Sequence, residues 1–251
     1  MTRRNPNAPD WLTARPIAHR GLHYASRGVI ENSLGALLAA ISKGYAVECD
    51  LRLSRDGKVF VFHDDDLGRL TGESGPFFAR DSGELERIGL SGSKDKIASL
   101  EKWLATAQGA VPLILELKSD FSGTLALAAA VAAALGEYKG PVALKSFDPA
   151  LIAVLRRTDA HWPLGIVAQE SYADFAGLSE TQCITLSRFT HVAETKPDFL
   201  SWRAADLPHP LCELARACAG MPVMTWTIRS SEQAAAVKKY ADQIVFEGFE
   251  A

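Results

Sequence analysis

Two histidines and three carboxylates close short apolar runs in this chain. They are His19 in His19-Arg20-Gly21, Glu48 and Asp50 in Glu48-Cys49-Asp50, His63 in His63-Asp64, and Glu116 in Glu116-Leu117-Lys118. Carboxylate oxygens are ligands for a hard cation. Imidazoles titrate near neutral pH and can move protons. Arg20 and Lys118 add positive charge suited to holding an anion. A hard cation, two proton-transfer groups and two cationic side chains in one pocket are the tools for cleaving a phosphate ester.

Each residue also has a plainer reading. Glu48 and Asp50 lie two apart, so on a strand both side chains face one side. Uncompensated inside a barrel they would repel and lose solvation, and a bound Mg²⁺ or Ca²⁺ removes that problem. The alternative is a salt-bridged pair at a strand end, served by Arg52 and Arg55. Glu116 and Lys118 share a face in the same way, either as part of the site or as a buried ion pair. His23, His161, His191 and His209 match no pattern and are assigned to surface or core. Trp226 is either a wall of the pocket in contact with substrate or plain core, and Phe147 is similar. Glu247, at the end of the last run, either supports the site or has no role in it.

The elements that must position these residues alternate from end to end. Strands are expected over 16–18, 46–53, 111–118, 141–146, 164–168, 198–202, 221–228 and 243–247. Helices are expected over 34–43, 99–108, 123–135, 149–157, 210–219 and 232–240. Asn32 or Ser33 can cap the first helix, Gly44 can end it, and Gly109 can end the second. Eight strands alternating with helices predict a parallel sheet closed into a (β/α)₈ TIM barrel. The run 59–63 follows the second strand too closely for a parallel crossover. Asp56-Gly57 is a hairpin signal, so this run is expected to return antiparallel and carry His63 back toward Asp50. Residues 65–96, charged and Gly-rich, are expected to form a small insertion at the barrel mouth. No linker divides the chain, so residues 1–251 are read as one domain.

A length of 251 residues with 47% hydrophobic content suits one such barrel. The net charge of −3 gives no overall pull toward nucleic acid or an anionic membrane. The four cysteines, Cys49, Cys183, Cys212 and Cys218, form no CxxC pair, which argues against a zinc knuckle or a disulfide framework. Cys49 should point away from Glu48 and Asp50, toward the layer between strands and helices. The first residues lead into no apolar stretch, and 125–135 is too short to span a bilayer. A cytoplasmic protein is expected, with no nucleic-acid partner and no stable membrane association. Oligomeric state is not readable.

As a set these residues resemble the glycerophosphodiester phosphodiesterase family. The resemblance rests on His19-Arg20-Gly21, Glu31-Asn32-Ser33, Glu48-x-Asp50, Ser54-x-Asp56-Gly57, His63-Asp64 and Leu67-x-Arg69-x-Thr71-Gly72. It continues through Glu84-Leu85, Leu100-Glu101, Glu116-x-Lys118, Ser146-Phe147 and Trp226-Thr227. It covers nearly the whole chain. It implies a (β/α)₈ barrel with a small mouth insertion, one divalent cation, and hydrolysis of a glycerophosphodiester to an alcohol and glycerol 3-phosphate. Glu48, Asp50 and Glu116 would then be metal ligands, His19 and His63 the acid–base pair, and Arg20 and Lys118 phosphate contacts. Ser33 stands where Thr is usual, and Val245-Phe246-Glu247-Gly248 replaces the usual Thr-Asp ending. The rival readings are a lipid-directed phosphodiesterase such as a lysophospholipase D, a barrel that binds metal or phosphate without catalysis, and a sugar-phosphate isomerase. For the first, the insertion shows no cluster of exposed aromatics beyond Phe77-Phe78. For the last, Thr227-Ile228-Arg229-Ser230 lacks the glycines of a barrel phosphate loop.

Overall fold

Two neighbouring strands set the frame of the site. Strand β2 (Ala46–Leu53) runs parallel to β5 (Leu113–Leu117) with Asp50 opposite Glu116. All five residues of β5 are buried, as a strand covered on both faces requires. The structure is a computed structural model that describes residues 8–158, 161–173, 175 and 177–251.

The remaining strands are β1 (Ile17–Ala18), β3 (Val59–Val61), β4 (Ala98–Ser99), β6 (Val142–Ser146), β7 (Leu164–Ala168), β8 (Phe199–Arg203), β9 (Val223–Ile228) and β10 (Gln243–Phe246). The ten strands form one sheet in the order β1-β10-β9-β8-β7-β6-β5-β2-β3-β4, and β1 also pairs with β2. The eight parallel strands β1, β2 and β5–β10 thus close into a (β/α)₈ TIM barrel. Helices fill the connections: α1 (Leu34–Lys43), α2 (Ser82–Leu85), α3 (Leu100–Ala107), α4 (Ala126–Leu135), α5 (Pro149–Arg156), α6 (Glu180–Ser187), α7 (Val192–Thr195), α8 (Pro210–Ala219) and α9 (Ser231–Val237).

Helix ends follow local chemistry. Ser33 caps α1, its Oγ accepting from the Ala36 amide at 3.1 Å, and Gly44 ends it in the left-handed conformation. Helix α3 ends one residue earlier than expected, because Gln108 itself adopts a φ of 47°. Helix α4 begins at Ala126 rather than Gly123. His209, read from the sequence only as a surface or core residue, caps α8 by accepting from the Leu211 amide at 3.3 Å, and Pro210 occupies the first turn.

The chain divides into two compact units, one made of Ala18–Lys118 and Ala126–Val142, the other of the rest of the described chain. In the first, β3 pairs antiparallel with β2, Leu51 facing Val61 and Leu53 facing Val59. Strand β4, not foreseen, pairs antiparallel with β3. Residues 65–96 are more ordered than a loop reading suggests. They hold a 3₁₀ turn at Phe77–Ala79, helix α2 with a capping box between Asp81 and Glu84, and three isolated bridges. An apolar cluster of Phe60, Phe62, Leu67, Phe77, Leu85 and Leu90, with Ile30 and Ile97, anchors them. Phe77 stacks on Phe62 at 5.0 Å and is 1% exposed. Of the expected exposed pair Phe77-Phe78, only Phe78 faces solvent. The second unit adds α6 and α7, also not foreseen. Only Leu186 of α6 is buried, so its apolar period was too weak to read.

Candidate active site

The site grows from β2. Alternation sends Glu48 and Asp50 to one side and the buried Val47, Cys49 and Leu51 to the other. The register with β5 sets Glu116 beside Asp50. Glu48, Asp50 and Glu116 each offer an oxygen, these oxygens lie within 4.8 Å of one another, and all three residues are buried. Three buried carboxylates so close together require positive charge or hydrogen-bond donors around them.

The first unit supplies these from four places. Lys118 Nζ lies 3.0 Å from Glu116 Oε1 and 3.7 Å from Asp50 Oδ1. Arg20 Nε lies 3.3 Å from Asp50 Oδ2, and the Arg20 amide donates to Glu48 Oε2 at 3.1 Å. His19 Nε2 lies 3.9 Å from the same Glu48 oxygen. Asn32, left-handed with a φ of 56°, donates from Nδ2 to Asp50 Oδ2 at 2.9 Å and accepts the Asp50 amide at Oδ1. Burial pushes the Asp50 carboxyl upward, but Lys118, His63, Arg20 and His19 outweigh it and hold the group well below its ordinary value. Burial likewise disfavours the Lys118 cation, and Glu116 and Asp50 more than restore it, so its ammonium titrates above its usual value. Arg20 follows the same pattern, with Asp50, Glu31 and Glu48 outweighing its burial.

The turn after β1 holds His19 and Arg20 in place. Arg20 and Gly21 both adopt positive φ, at 55° and 79°. The Gly21 amide reaches the carbonyls of Ala18 at 3.3 Å and Glu48 at 3.2 Å. A Cβ on Gly21 would stand 2.7 Å from Ala36 Cβ, so only glycine lets the turn lie on α1.

His63 follows β3, and its Nδ1 meets Asp64 Oδ1 at 2.6 Å. Arg52, offered as a partner for the Glu48–Asp50 pair, instead donates to the His63 carbonyl at 2.7 Å and pairs with Asp65 at 2.5 Å. Arg55 pairs with Asp81. Lys118 and Arg20 therefore take the place that the salt-bridge reading gave to Arg52 and Arg55.

Seven of the eight singled-out residues, His19, Arg20, Glu48, Asp50, His63, Glu116 and Lys118, belong to this one unit. Trp226 stands in β9 of the other, half-buried, with Nε1 donating to the Ser201 carbonyl at 2.9 Å and its ring edge-on to Phe147 at 5.6 Å. Glu247 pairs with Arg229 at 2.8 Å. Glu31, Asp64 and Arg69 had no role in the reading of the residues, and Asn32 was read only as a possible cap of the first helix, a place that Ser33 takes. Arg20 NH1 donates to Glu31 Oε1 at 2.6 Å, and Arg69 bonds both Glu31 and Asp64. Burial pushes Glu31 up, and Arg69 and Arg20 reverse this, so the group stays ionised. Asp64 is held low likewise, by Arg69 and His63 against its burial. A carboxylate directly after His63 was the one local signal, since an imidazole in a site needs a partner to orient it.

The strands and the acidic cluster place the chain among (β/α)₈ barrels. The profile of the Glycerophosphoryl diester phosphodiesterase family matches residues 19–246, and the chain belongs to that family. No match was found among curated proteins. Similar solved structures include a phosphodiesterase of Oleispira antarctica in complex with its product sn-glycerol-3-phosphate, with TM-score 0.76, 21% identity and 94% of each chain covered. A glycerophosphodiester phosphodiesterase of Thermotoga maritima aligns with TM-score 0.69, 24% identity and 92% coverage of both chains. One from Parabacteroides distasonis aligns with TM-score 0.73, 21% identity and 92% coverage of both. At these identities the likeness establishes the fold.

Proposed function

We propose that this chain hydrolyses glycerophosphodiesters to an alcohol and glycerol 3-phosphate, with His19 and His63 as the proton-transfer pair beside a divalent-cation site. The observation that carries this reading is the approach of Glu48, Asp50 and Glu116 oxygens to within 4.8 Å, with His19 Nε2 3.9 Å from Glu48 Oε2. Three carboxylate oxygens suit Mg²⁺ or Ca²⁺. Such a cation, when bound, polarises a non-bridging phosphoryl oxygen.

The chain's own groups do the rest. With Nδ1–H donated to Asp64, His63 keeps its Nε2 lone pair for a proton. One imidazole takes the proton of the attacking oxygen, and the other gives one to the departing alkoxide, which otherwise leaves poorly. Arg20 and Lys118, cationic at any working pH, stabilise charge that builds on the phosphoryl oxygens. Trp226 is assigned to substrate contact through its half-buried ring. The whole chain, including residues 65–96, acts as one domain in this reading. It works on a small diester in the cytoplasm, without nucleic acid or a stable hold on membrane. No helix among the described residues is long and apolar enough to cross a bilayer.

A coupled assay for glycerol 3-phosphate release tests the reading. Several glycerophosphodiesters are supplied with chelator, then with Mg²⁺ or Ca²⁺ restored. Release that requires a cation supports it, and release from none of the diesters defeats it. Vesicle co-sedimentation separates the lipid-directed alternative, for which Phe78 is the exposed aromatic of its pair.

A further inference from the structure

We propose that Arg69 is a positioning residue for this reaction, holding His63 and Arg20 in register through one guanidinium shared by Asp64 and Glu31. The inference rests on the hydrolase reading above. Arg69 forks onto both carboxylates. Nε lies 2.5 Å from Asp64 Oδ2, NH1 lies 2.9 Å from Glu31 Oε2, and NH2 bridges to Glu31 Oε1 at 2.7 Å and Asp64 Oδ1 at 3.0 Å. The bridged atoms are the informative ones. Asp64 Oδ1 is the oxygen that meets His63 Nδ1, and Glu31 Oε1 is the oxygen that takes Arg20 NH1. A continuous chain of charge-assisted bonds therefore runs Arg20–Glu31–Arg69–Asp64–His63.

The guanidinium is itself firmly placed. Arg69 sits in a turn whose flanks, Leu67 and Leu70, pack into the apolar cluster. Thr71 closes that turn, its amide and hydroxyl both donating to the Leu67 carbonyl at 3.2 and 2.9 Å. The Arg69 side chain is 48% exposed, so its ion pairs contribute little to stability. What it supplies is geometry. Without it, two carboxylates that share one nitrogen repel, and the oxygens that aim the imidazole and the Arg20 guanidinium turn away. Residues 65–96 would then reach the chemistry through this side chain. No group in the chain transfers a proton to or from Arg69.

The test compares the wild-type chain with Arg69→Met, Arg69→Lys, Asp64→Asn and the Arg69→Met/Asp64→Asn double variant, each with its melting temperature. Arg69→Met is expected to fold and to lose about 10- to 100-fold in kcat, the scale of an orienting error near 1 Å. Arg69→Lys, which keeps the charge without the fork, recovers part of this. Added guanidinium restores Arg69→Met several-fold. The double variant falls no lower than about the worse single one, because both changes break one chain of contacts. Wild-type kcat in Arg69→Met, multiplicative losses in the double variant, or failure of Arg69→Met to fold would each overturn the proposal. A second readout does not depend on turnover. The downfield proton of His63 Nδ1–H, identified by its absence in His63→Ala, should disappear in Arg69→Met. Its persistence unchanged also defeats the assignment, even if the wild-type chain proved inactive on every diester and the functional reading itself had failed.

Discussion

Asp50 is 1% exposed and answers to four groups that carry, or can carry, positive charge: Lys118, His63, Arg20 and His19. Its folded-state value lies below the unfolded one. It therefore contributes stability at neutral pH that is lost as pH falls below about 4. If its oxygen also binds a cation, Asp50→Asn should abolish turnover and, more tellingly, remove the rise in melting temperature on adding Mg²⁺ or Ca²⁺. For the wild-type chain that rise corresponds to about 2.7 kcal/mol at a cation concentration one hundred times Kd. A rise equal in both proteins would remove Asp50 from the cation site. The imidazoles are tested separately. His19→Ala and His63→Ala should each lower kcat by about 10²- to 10⁴-fold in the glycerol 3-phosphate assay. Turnover preserved in both would end their assignment as the proton-transfer pair.

The elements contribute through their ends. Helix α1 presses on the turn that carries His19 and Arg20, with the Leu22 amide donating to the Ala36 carbonyl at 3.0 Å. Two substitutions test that junction. Ser33→Ala removes the cap and should destabilise the fold by about 1 kcal/mol, read as a shift in the urea midpoint. Gly21→Ala is harsher, because it meets Ala36 at 2.7 Å and must also hold a left-handed backbone, itself a penalty of about 1–2 kcal/mol. The loss of kcat in Gly21→Ala should exceed that in Ser33→Ala, since its displacement falls on the turn that carries His19 and Arg20. The cap at Ser33 and the stop at Gly44 were legible locally. The helices α6 and α7 were not, because a helix that buries one residue leaves almost no apolar period in its sequence.

For the molecule as a whole, the burial of His191 predicts an acid limit on stability. It is 6% exposed, its Nδ1 lies 3.2 Å from Thr195 Oγ1, and burial pushes its pKa down to about 4. The folded value is below the ordinary 6.5, so between these the unfolded chain binds more protons. Stability should be full above pH 6.5 and fall as pH drops toward 4, by at most about 3 kcal/mol from this group. Urea midpoints measured at pH 7 and pH 5 should differ less in His191→Phe than in the wild-type chain. An equal difference would place the acid limit elsewhere. His191 was read only as a surface or core residue, since nothing near it in sequence reveals how deeply it is packed.

Much of the barrel was legible because periodicity is a local property. Alternation along 46–53 already placed Glu48 and Asp50 on one face. The Asp56-Gly57 turn required an antiparallel return, and the strand–helix rhythm required a parallel barrel. What spacing could not supply is register between strands far apart in the chain, which depends on how intervening helices pack. Only the folded chain sets Asp50 opposite Glu116, turns Lys118 and Arg20 rather than Arg52 and Arg55 onto the acids, and buries Phe77 while leaving Phe78 in solvent. It also joins Arg20 to His63 through Glu31, Arg69 and Asp64. Residue types determine which charges are present. Which of them meet is decided by side chains that share a few ångströms across distant segments, and that is a property of packing alone.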